Sequence, residues 1–165
     1  MQSPLAELNS LARRSFVESI GWVFEDSPWV AERVWDRRPF SSLENLLSAM
    51  AAEVESASQE EQLNLLRAHP DLGEKVRVGS ASAKEQAGAG LDSLTQEEFQ
   101  RIRQLNSAYR SKFGFPFLLA VKGSTKREIL RSLERRLNES ADSEFHEALR
   151  QVCRIAEFRL RDTLR

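Results

Sequence analysis

Helix-start signals recur along almost the whole chain, and they constrain its fold more than any other feature. Apolar residues at steps of three and four follow most of these signals, which is typical of amphipathic helices. Strand-like alternation is almost absent, and only the stretch FPFLLAVKG at 115–123 is ambiguous. The sequence therefore predicts an all-α fold, a single-domain bundle of about eight helices over residues 1–165. The Ser/Thr-x-x-Glu pairs typical of a capping box are Ser41 and Glu44, Ser58 and Glu61, Ser82 and Glu85, Thr95 and Glu98, and Thr125 and Glu128.

Individual helices can be placed from their ends and apolar faces. In SPWVAERVWDRRP, at 27–39, we expect Ser27 to be the N-cap, Pro28 the first helical residue and Pro39 the end. The Gly/Ser/Ala-rich piece at 78–91 predicts a surface loop that leads into a short helix. The helix predicted from TQEEFQRIRQLNSAYRSKFG, at 95–114, has Gly114 as its stop and an apolar face of Phe99, Ile102, Leu105, Ala108 and Phe113.

Composition excludes several classes of protein. Apolar residues make up 41% of the 165 residues, and 24 basic residues stand against 25 acidic ones. This near balance argues against a nucleic-acid-binding protein, and the lack of a run of 18 apolar residues argues against a membrane protein. The single cysteine, Cys153, excludes an internal disulfide and a thiolate metal cluster. Because MQSPLAELNS lacks a signal-peptide pattern and DTLR is no peroxisomal address, we expect a cytoplasmic location.

His69 is one of only two histidines, and it stands in the stretch AHPDLG at 68–73. One interpretation is structural, since a histidine at a helix C-terminus is favoured by the helix dipole and Pro70 ends the helix. The other is catalytic, because a rigid proline fixes the direction of an imidazole that titrates near neutral pH. The residues themselves leave both interpretations open.

Ser82, Glu85 and Gln86 form a polar trio in SASAKEQAGAGL. The first two fit a capping box, and the chain has four other such pairs. The small residues that follow leave space for a ligand, and a helix N-terminus with hydroxyl, carboxylate and amide groups suits a small polar molecule. Ser82 and Glu85 are therefore candidates both for a cap and for a binding site.

Arg159 lies in line with the apolar stripe of the last predicted helix. It has either an edge position, with its stem buried and its head in water, or an inward position that needs an anionic partner. A substrate carboxylate would serve as that partner, because guanidinium binds carboxylates through two hydrogen bonds. The stripe consists of Phe145, Leu149, Val152, Ala156, Arg159 and Thr163.

The stretch FGFPFLLAV at 113–121 is apolar, but Gly114 and Pro116 interrupt regular structure. Buried irregular backbone needs hydrogen-bond partners, and a planar, amide-rich ligand is one possibility beside an ordinary core role. His146 and Cys153 on the last helix are interpreted as structural. No metal-ligand spacing, phosphate loop or nucleophile elbow is present in the sequence.

The chain contains, in this order, SPWVAE, RPF, AHPDLG, Ser-x-x-Glu-Gln with AGAGL, LNSAYRSKFGFPF and RIAEFRL. With these stretches it resembles the OHCU decarboxylase family (2-oxo-4-hydroxy-4-carboxy-5-ureidoimidazoline decarboxylases). The resemblance runs from about residue 9 to residue 164, and HPDLG with FGFPF at this separation is specific. It implies an all-α, homodimeric carboxy-lyase without cofactor or metal. That enzyme would convert a ureidoimidazoline carboxylate of urate breakdown into (S)-allantoin and carbon dioxide.

The resemblance also implies roles for residues. His69 matches the catalytic acid–base residue, and Glu85 is the second group expected to move protons. The residues matched as substrate-binding are Pro70, Ser82, Ala83, Lys84, Gln86, Phe117, Leu118, Leu119, Ala120, Val121 and Arg159.

The chain departs from the family pattern between His69 and Ser82, where it is several residues shorter than is common. The sequence does not assign acid and base between His69 and Glu85. Two other functions stay open: a non-enzymatic helical interaction module, and a cofactor-free lyase that acts on another ureido acid. Beside a small-molecule substrate and a second copy of the chain, no nucleic acid or membrane is expected as a partner.

Overall fold

The computed structural model describes residues 1–73 and 80–165, and in these ranges it contains nine α-helices and no β-strand. The predicted all-α class is confirmed, and the helix count is close to the predicted eight. No helix in these ranges combines the length and the apolar character needed to cross a membrane. The helices are α1 Pro4–Ser10, α2 Arg13–Ile20, α3 Trp29–Val34, α4 Leu43–Ser56, α5 Gln59–Arg67, α6 Ala81–Gly88, α7 Gln96–Phe113, α8 Lys126–Arg136 and α9 Ala141–Thr163.

The chain divides into two compact units. One comprises residues 1–68 and 152–165, and the other comprises residues 69–151. The boundaries fall directly before His69 and within α9. The single domain therefore stays a prediction, and each unit is described by itself.

Three of the five predicted capping boxes are present, at Ser58, Thr95 and Thr125. At Thr95, the backbone N–H bonds to Glu98 and holds the pKa of that carboxyl below its usual value, with help from Lys126. The prediction is wrong at Ser41 and at Ser82. The N-cap of α4 is Ser42, one residue later, and the N-cap of α6 is Ser80, two residues earlier.

In the first unit, α3 is shorter than predicted. The hydroxyl of Ser27 donates to the carbonyl of Glu25 at 2.8 Å and does not cap the helix. The helix begins at Trp29, and a 3₁₀ turn at Trp35–Arg37 replaces its predicted last turn. Nearby, α4 buries Leu46, Met50 and Val54, which are spaced for one helical face.

In the second unit, the buried face of α7 differs from the predicted one. Ile102 and Leu105 are buried as expected, but Phe99 is 39% exposed and Ala108 is also exposed. Asn106 and Tyr109 are buried instead, because each has a polar partner in the interior. The helix ends as predicted at Gly114, whose φ of 81° is the left-handed conformation that glycine adopts without strain.

The short helix predicted after position 78 is α6, and it starts at Ala81. Positions 78 and 79 belong to 74–79, which lie outside the described residues, as does half of the shortened stretch 70–81 after His69. The ambiguous stretch at 115–123 has no regular secondary structure and pairs with no strand among the described residues.

Candidate active site

His69 lies two residues beyond the end of α5 and is only 4% exposed. Pro70, directly after it, is half-buried. The imidazole is thus a largely buried group at the start of a non-helical loop. The predicted position just past a helix is confirmed, and the catalytic role stays a prediction.

Helix α7 holds the loop that follows His69. Nδ2 of Asn106 donates to the carbonyl of Leu72 at 2.7 Å, in the buried interior. One helical turn further on, the guanidinium of Arg110 lies 3.0 Å from the carboxylate of Asp71. Two side chains on the same side of α7 therefore hold the Asp71 side chain and the Leu72 backbone, two and three residues after His69.

Helix α6 holds the same loop from another direction. The Gly73 N–H donates to Oε1 of Gln86 at 3.1 Å. Gly73 has a φ of +80°, and a Cβ there would lie 3.2 Å from Cγ2 of Ile102. A glycine is needed for both reasons, and the buried Gln86 joins the helix of the polar trio to the loop of His69.

Ser82 and Glu85 are not a capping pair. The hydroxyl of Ser80 accepts the Ala83 N–H at 3.1 Å, so Ser82 stands inside the helix. Ser82, Glu85 and Gln86 are spaced for one helical face, and Gln86 turns this face toward the His69 loop. The capping-box explanation of Ser82 and Glu85 is therefore removed. Ser82, Ala83 and Glu85 are half-buried, whereas Lys84 is exposed.

The segment 117–121 is largely buried, with Leu119 half-buried. Two of its backbone groups already have partners in the interior. The Leu118 carbonyl accepts from Nη1 of Arg136 at 2.6 Å, and the Ala120 N–H donates to Oε1 of Gln151 at 2.9 Å. Backbone groups of successive residues in an extended chain point to opposite sides. The backbone groups of Phe117 and Leu119 are therefore the candidates for contact with a ligand.

A buried polar network supports this segment. Nε of Arg136 lies 2.8 Å from Oε1 of Glu144, and the two side chains are 1% and 2% exposed. The hydroxyl of Tyr109 donates to the same carboxylate oxygen. Burial, together with this hydrogen bond, raises the pKa of Tyr109 well above its usual value. The guanidinium also lies over the ring of Phe117, 4.5 Å from its centroid, so the network holds both Phe117 and Leu118.

Arg159 belongs to the first unit and is buried, so the inward position is the one observed of the two that the sequence left open. Its Nη2 lies 2.8 Å from Oε1 of Glu25, and its Nη1 donates to the carbonyl of Val23 at 3.3 Å. The anionic partner that an inward arginine requires is thus supplied by Glu25. A contact with a substrate carboxylate stays a prediction. Along the stripe, Thr163 is exposed, contrary to expectation.

The two other reactive side chains singled out in the sequence have structural surroundings. Nδ1 of His146 lies 2.8 Å from the carbonyl of Asp142 on the exposed side of α9. Burial, with a smaller effect of Glu55, raises the pKa of the Cys153 thiol to about 11, so the thiol stays protonated near neutral pH. Within residues 1–73 and 80–165, no group of three His, Cys, Asp or Glu side chains could hold a metal ion.

The sequence did not single out the side chains that support the site. Asn106 and Arg110 lie within LNSAYR, which was noticed only as part of the resemblance. Arg136 and Glu144 stand in helices rich in exposed charges, where nothing local distinguishes them. Together with Tyr109 and Gln151, these four residues hold the loop after His69 and the segment 117–121 in place.

Comparison with known proteins shows the family to which the chain belongs. The model of the OHCU decarboxylase family matches residues 9–161. A 2-oxo-4-hydroxy-4-carboxy-5-ureidoimidazoline decarboxylase of Haloferax volcanii is 50% identical over 94% of this chain and 93% of its own length. A uric acid degradation bifunctional protein of Bacillus sp. strain TB-90 is 44% identical over 98% of this chain, which spans 32% of that protein.

A solved structure of (S)-allantoin synthase is similar to this chain with a TM-score of 0.80 and 34% sequence identity. The similarity covers 97% of this chain and 54% of the other. The helical fold and these relatives define a protein of the decarboxylase class. The chain belongs to the OHCU decarboxylase family.

Proposed function

We propose that this protein decarboxylates 2-oxo-4-hydroxy-4-carboxy-5-ureidoimidazoline to (S)-allantoin and carbon dioxide in the breakdown of urate. Membership of the family supports the reaction. The observation that carries it is the bond between Gly73 and Gln86, which joins the loop of His69 to the helix of Ser82 and Glu85. This bond brings together the two segments that the sequence predicts to be catalytic.

The substrate carries a hydroxyl and a carboxylate on one tetrahedral ring carbon. When the bond to the carboxylate breaks, its electron pair delocalises into the ring only if that bond stands nearly perpendicular to the ring. Holding the ring is therefore a large part of the catalytic task. In our proposal, the backbone groups of Phe117 and Leu119 hold the ring plane, since those of Leu118 and Ala120 have interior partners.

The reaction takes up one proton overall. The ring nitrogen that receives the electron pair is protonated by solvent, the hydroxyl proton leaves as that carbon becomes a carbonyl, and a proton is added to one face of the neighbouring ring carbon. His69 and Glu85 are proposed to carry out the two transfers at the carbons. Ser82 and Gln86 hold polar substituents from the same helical face, with Pro70, Ala83 and Lys84 at the edges of the site. One-sided proton delivery explains a chiral product, which water alone would not give.

The proposal includes no cofactor. This class of compound decarboxylates slowly without an enzyme, so the protein needs to supply only part of the ~8–23 kcal/mol barrier reduction usual for enzymes. We also propose a cytoplasmic homodimer. Trp22, which is 44% exposed, is a candidate for the surface between the two copies.

The test uses the two histidines as a matched pair. His69→Ala should lower the rate of (S)-allantoin formation by at least about a hundredfold, because a positioned acid–base group contributes 10²–10⁴. His146→Ala, on the exposed side of α9, should leave the rate unchanged. Circular dichroism measures the chiral product after urate oxidation and hydroxyisourate hydrolysis by added enzymes.

Two results would contradict the proposal. If the wild-type protein did not accelerate the formation of (S)-allantoin, the chain would be an interaction module or a lyase for another ureido acid. If His69→Ala retained a near-normal rate, the decarboxylase would stand but its acid–base residue would be another group.

A further inference from the structure

We propose that one turn of α7, from Asn106 to Arg110, is a positioning element that sets the His69 loop and the segment 117–121 relative to each other. The inference rests on the proposed function, because it gives these two segments the proton-transfer and ring-holding roles. None of the turn's side chains is assigned contact with substrate. They act through the residues that they hold.

The contact with the loop comes from the two ends of the turn. Asn106 is 3% exposed and donates to the Leu72 carbonyl, and Arg110 pairs with Asp71. Among the described residues, no donor reaches Oδ1 of Asn106. A buried, unsatisfied oxygen costs about 1–3 kcal/mol, so Asn106 is a poor choice for stability alone. The bond to Leu72, three residues after His69, explains why an amide stands there.

The contact with the segment comes from the middle of the turn. The hydroxyl of Tyr109 bonds to Glu144, which pairs with Arg136, and Arg136 donates to the Leu118 carbonyl. The ring of Tyr109 also meets the ring of Phe117 edge-on, with 5.4 Å between centroids. The same turn thus contacts the ring-holding segment both directly and through an ion pair.

A helical turn is well suited to this task. Its residues rise about 1.5 Å each with little freedom, so the three side chains start from fixed relative positions. Misplacement of a catalytic group by about 1 Å can lower a rate by about a hundredfold. The turn therefore holds both segments in one rigid geometry.

The first experiment needs no substrate. With ¹³C- and ¹⁵N-labelled histidine, the two imidazoles give two sets of NMR signals, and exposed His146 is the internal reference. Arg110→Gln and Asn106→Ala should shift or broaden the signals of His69 and leave those of His146 unchanged. Arg103→Gln is the matched control, since Arg103 is an exposed arginine two turns earlier on α7, and it should change neither set.

The second experiment is kinetic, with rates divided by the folded fraction. Asn106→Ala should lower kcat about tenfold and leave KM within about twofold, because it displaces the proton-transfer group and not the ring. Tyr109→Phe, which keeps the aromatic ring and removes the hydroxyl, should instead raise KM about threefold. If Asn106 and Tyr109 had only structural roles, both substitutions would lower the folded fraction. They would not act selectively on kcat in one variant and on KM in the other.

Unchanged His69 signals in Arg110→Gln and Asn106→Ala would overturn the proposal, as would parallel effects of Asn106→Ala and Tyr109→Phe on kcat and KM. If Asn106→Ala does not fold, Arg110→Gln decides, because its ion pair is on the surface. If the wild-type protein has no decarboxylase activity, the proposed function fails while the NMR result still decides whether the turn positions His69.

Discussion

Glu85 and Glu98 show how one local pattern can occur in two different structures. Each follows a Ser or Thr by three residues, but only Glu98 bonds back to the N–H of its cap, Thr95. At α6 the cap is Ser80, so Glu85 lies further into the helix and is half-buried. The pattern alone does not separate the two cases, because Ser80 and Ser82 both offer a hydroxyl near the start of the helix.

This difference gives a prediction for Glu85. Glu85→Gln should lower kcat at least about tenfold with little change in melting temperature, since it removes a proton-transfer group and no cap. Glu98→Ala should have the opposite effect, a lower melting temperature with normal kcat, because it removes the capping-box carboxylate and its ion pair with Lys126. Thermal unfolding and steady-state kinetics on both variants check it. A loss of stability alone in Glu85→Gln would return Glu85 to a structural role.

Single residues differ in how far the sequence reveals them. His69 was found because a histidine before a proline is unusual in any context. The need of Arg159 for an anion was predictable from its place in an apolar stripe, but the identity of Glu25 was not, since 134 positions separate them. Asn106 was missed for the same reason, because Leu72, its partner, is 34 positions away.

At the scale of elements, helix positions followed from caps and periodicity, whereas the buried face of α7 did not. A polar residue is assigned to the surface unless its partner is known, and Asn106 and Tyr109 have interior partners contributed by other segments. The stretch 115–123 was ambiguous because its shape is imposed by Arg136 and Gln151, which come later in the chain.

The network of Arg136 and Glu144 gives a prediction at this scale. Glu144→Ala should lower the free energy of unfolding by about 3–5 kcal/mol, because it leaves a buried guanidinium without its counter-charge. Glu134→Ala on α8 breaks an exposed pair with Arg101 and should cost less than about 1 kcal/mol. Urea unfolding followed by circular dichroism distinguishes the two. If both substitutions lowered the free energy of unfolding equally, the buried pair of Arg136 and Glu144 would stabilise the fold no more than an exposed pair does.

At the scale of the whole molecule, helix-start signals and apolar periodicity correctly indicated a helical protein. They did not reveal the two compact units, because the boundaries of these units fall at ordinary positions, before His69 and inside the long helix α9. Neither position has the Gly- or Pro-rich composition that marks a linker in a sequence.

Each unit contains a group that should make the protein sensitive to alkali. Burial raises the pKa of Cys153 to about 11, and it also raises that of Tyr109. A group whose pKa is higher in the folded than in the unfolded state contributes its full stabilisation of the fold below the unfolded pKa, which is about 8.5 for a thiol. This stabilisation is lost as the pH rises through the folded-state pKa. The free energy of unfolding should therefore fall between about pH 9 and pH 11.

Urea unfolding over that range checks the prediction, with Cys153→Ala as the comparison. The variant should lose less stability than the wild type, and the remaining decrease comes from Tyr109 and other groups. Identical slopes for the two proteins would show that the thiol titrates alike in the folded and unfolded chains.

Helix α6 is made largely of small residues, and Gln86 is the one it buries. A helix with so few buried apolar contacts unfolds locally at a low cost in free energy. Its amide protons should therefore exchange with solvent sooner than those of α7. A bound ligand that touches Ser82 and Glu85 would have to hold this helix closed. Part of the ligand's binding free energy would then be used to keep α6 closed. The apparent affinity would be lower as a result, and the product would dissociate faster.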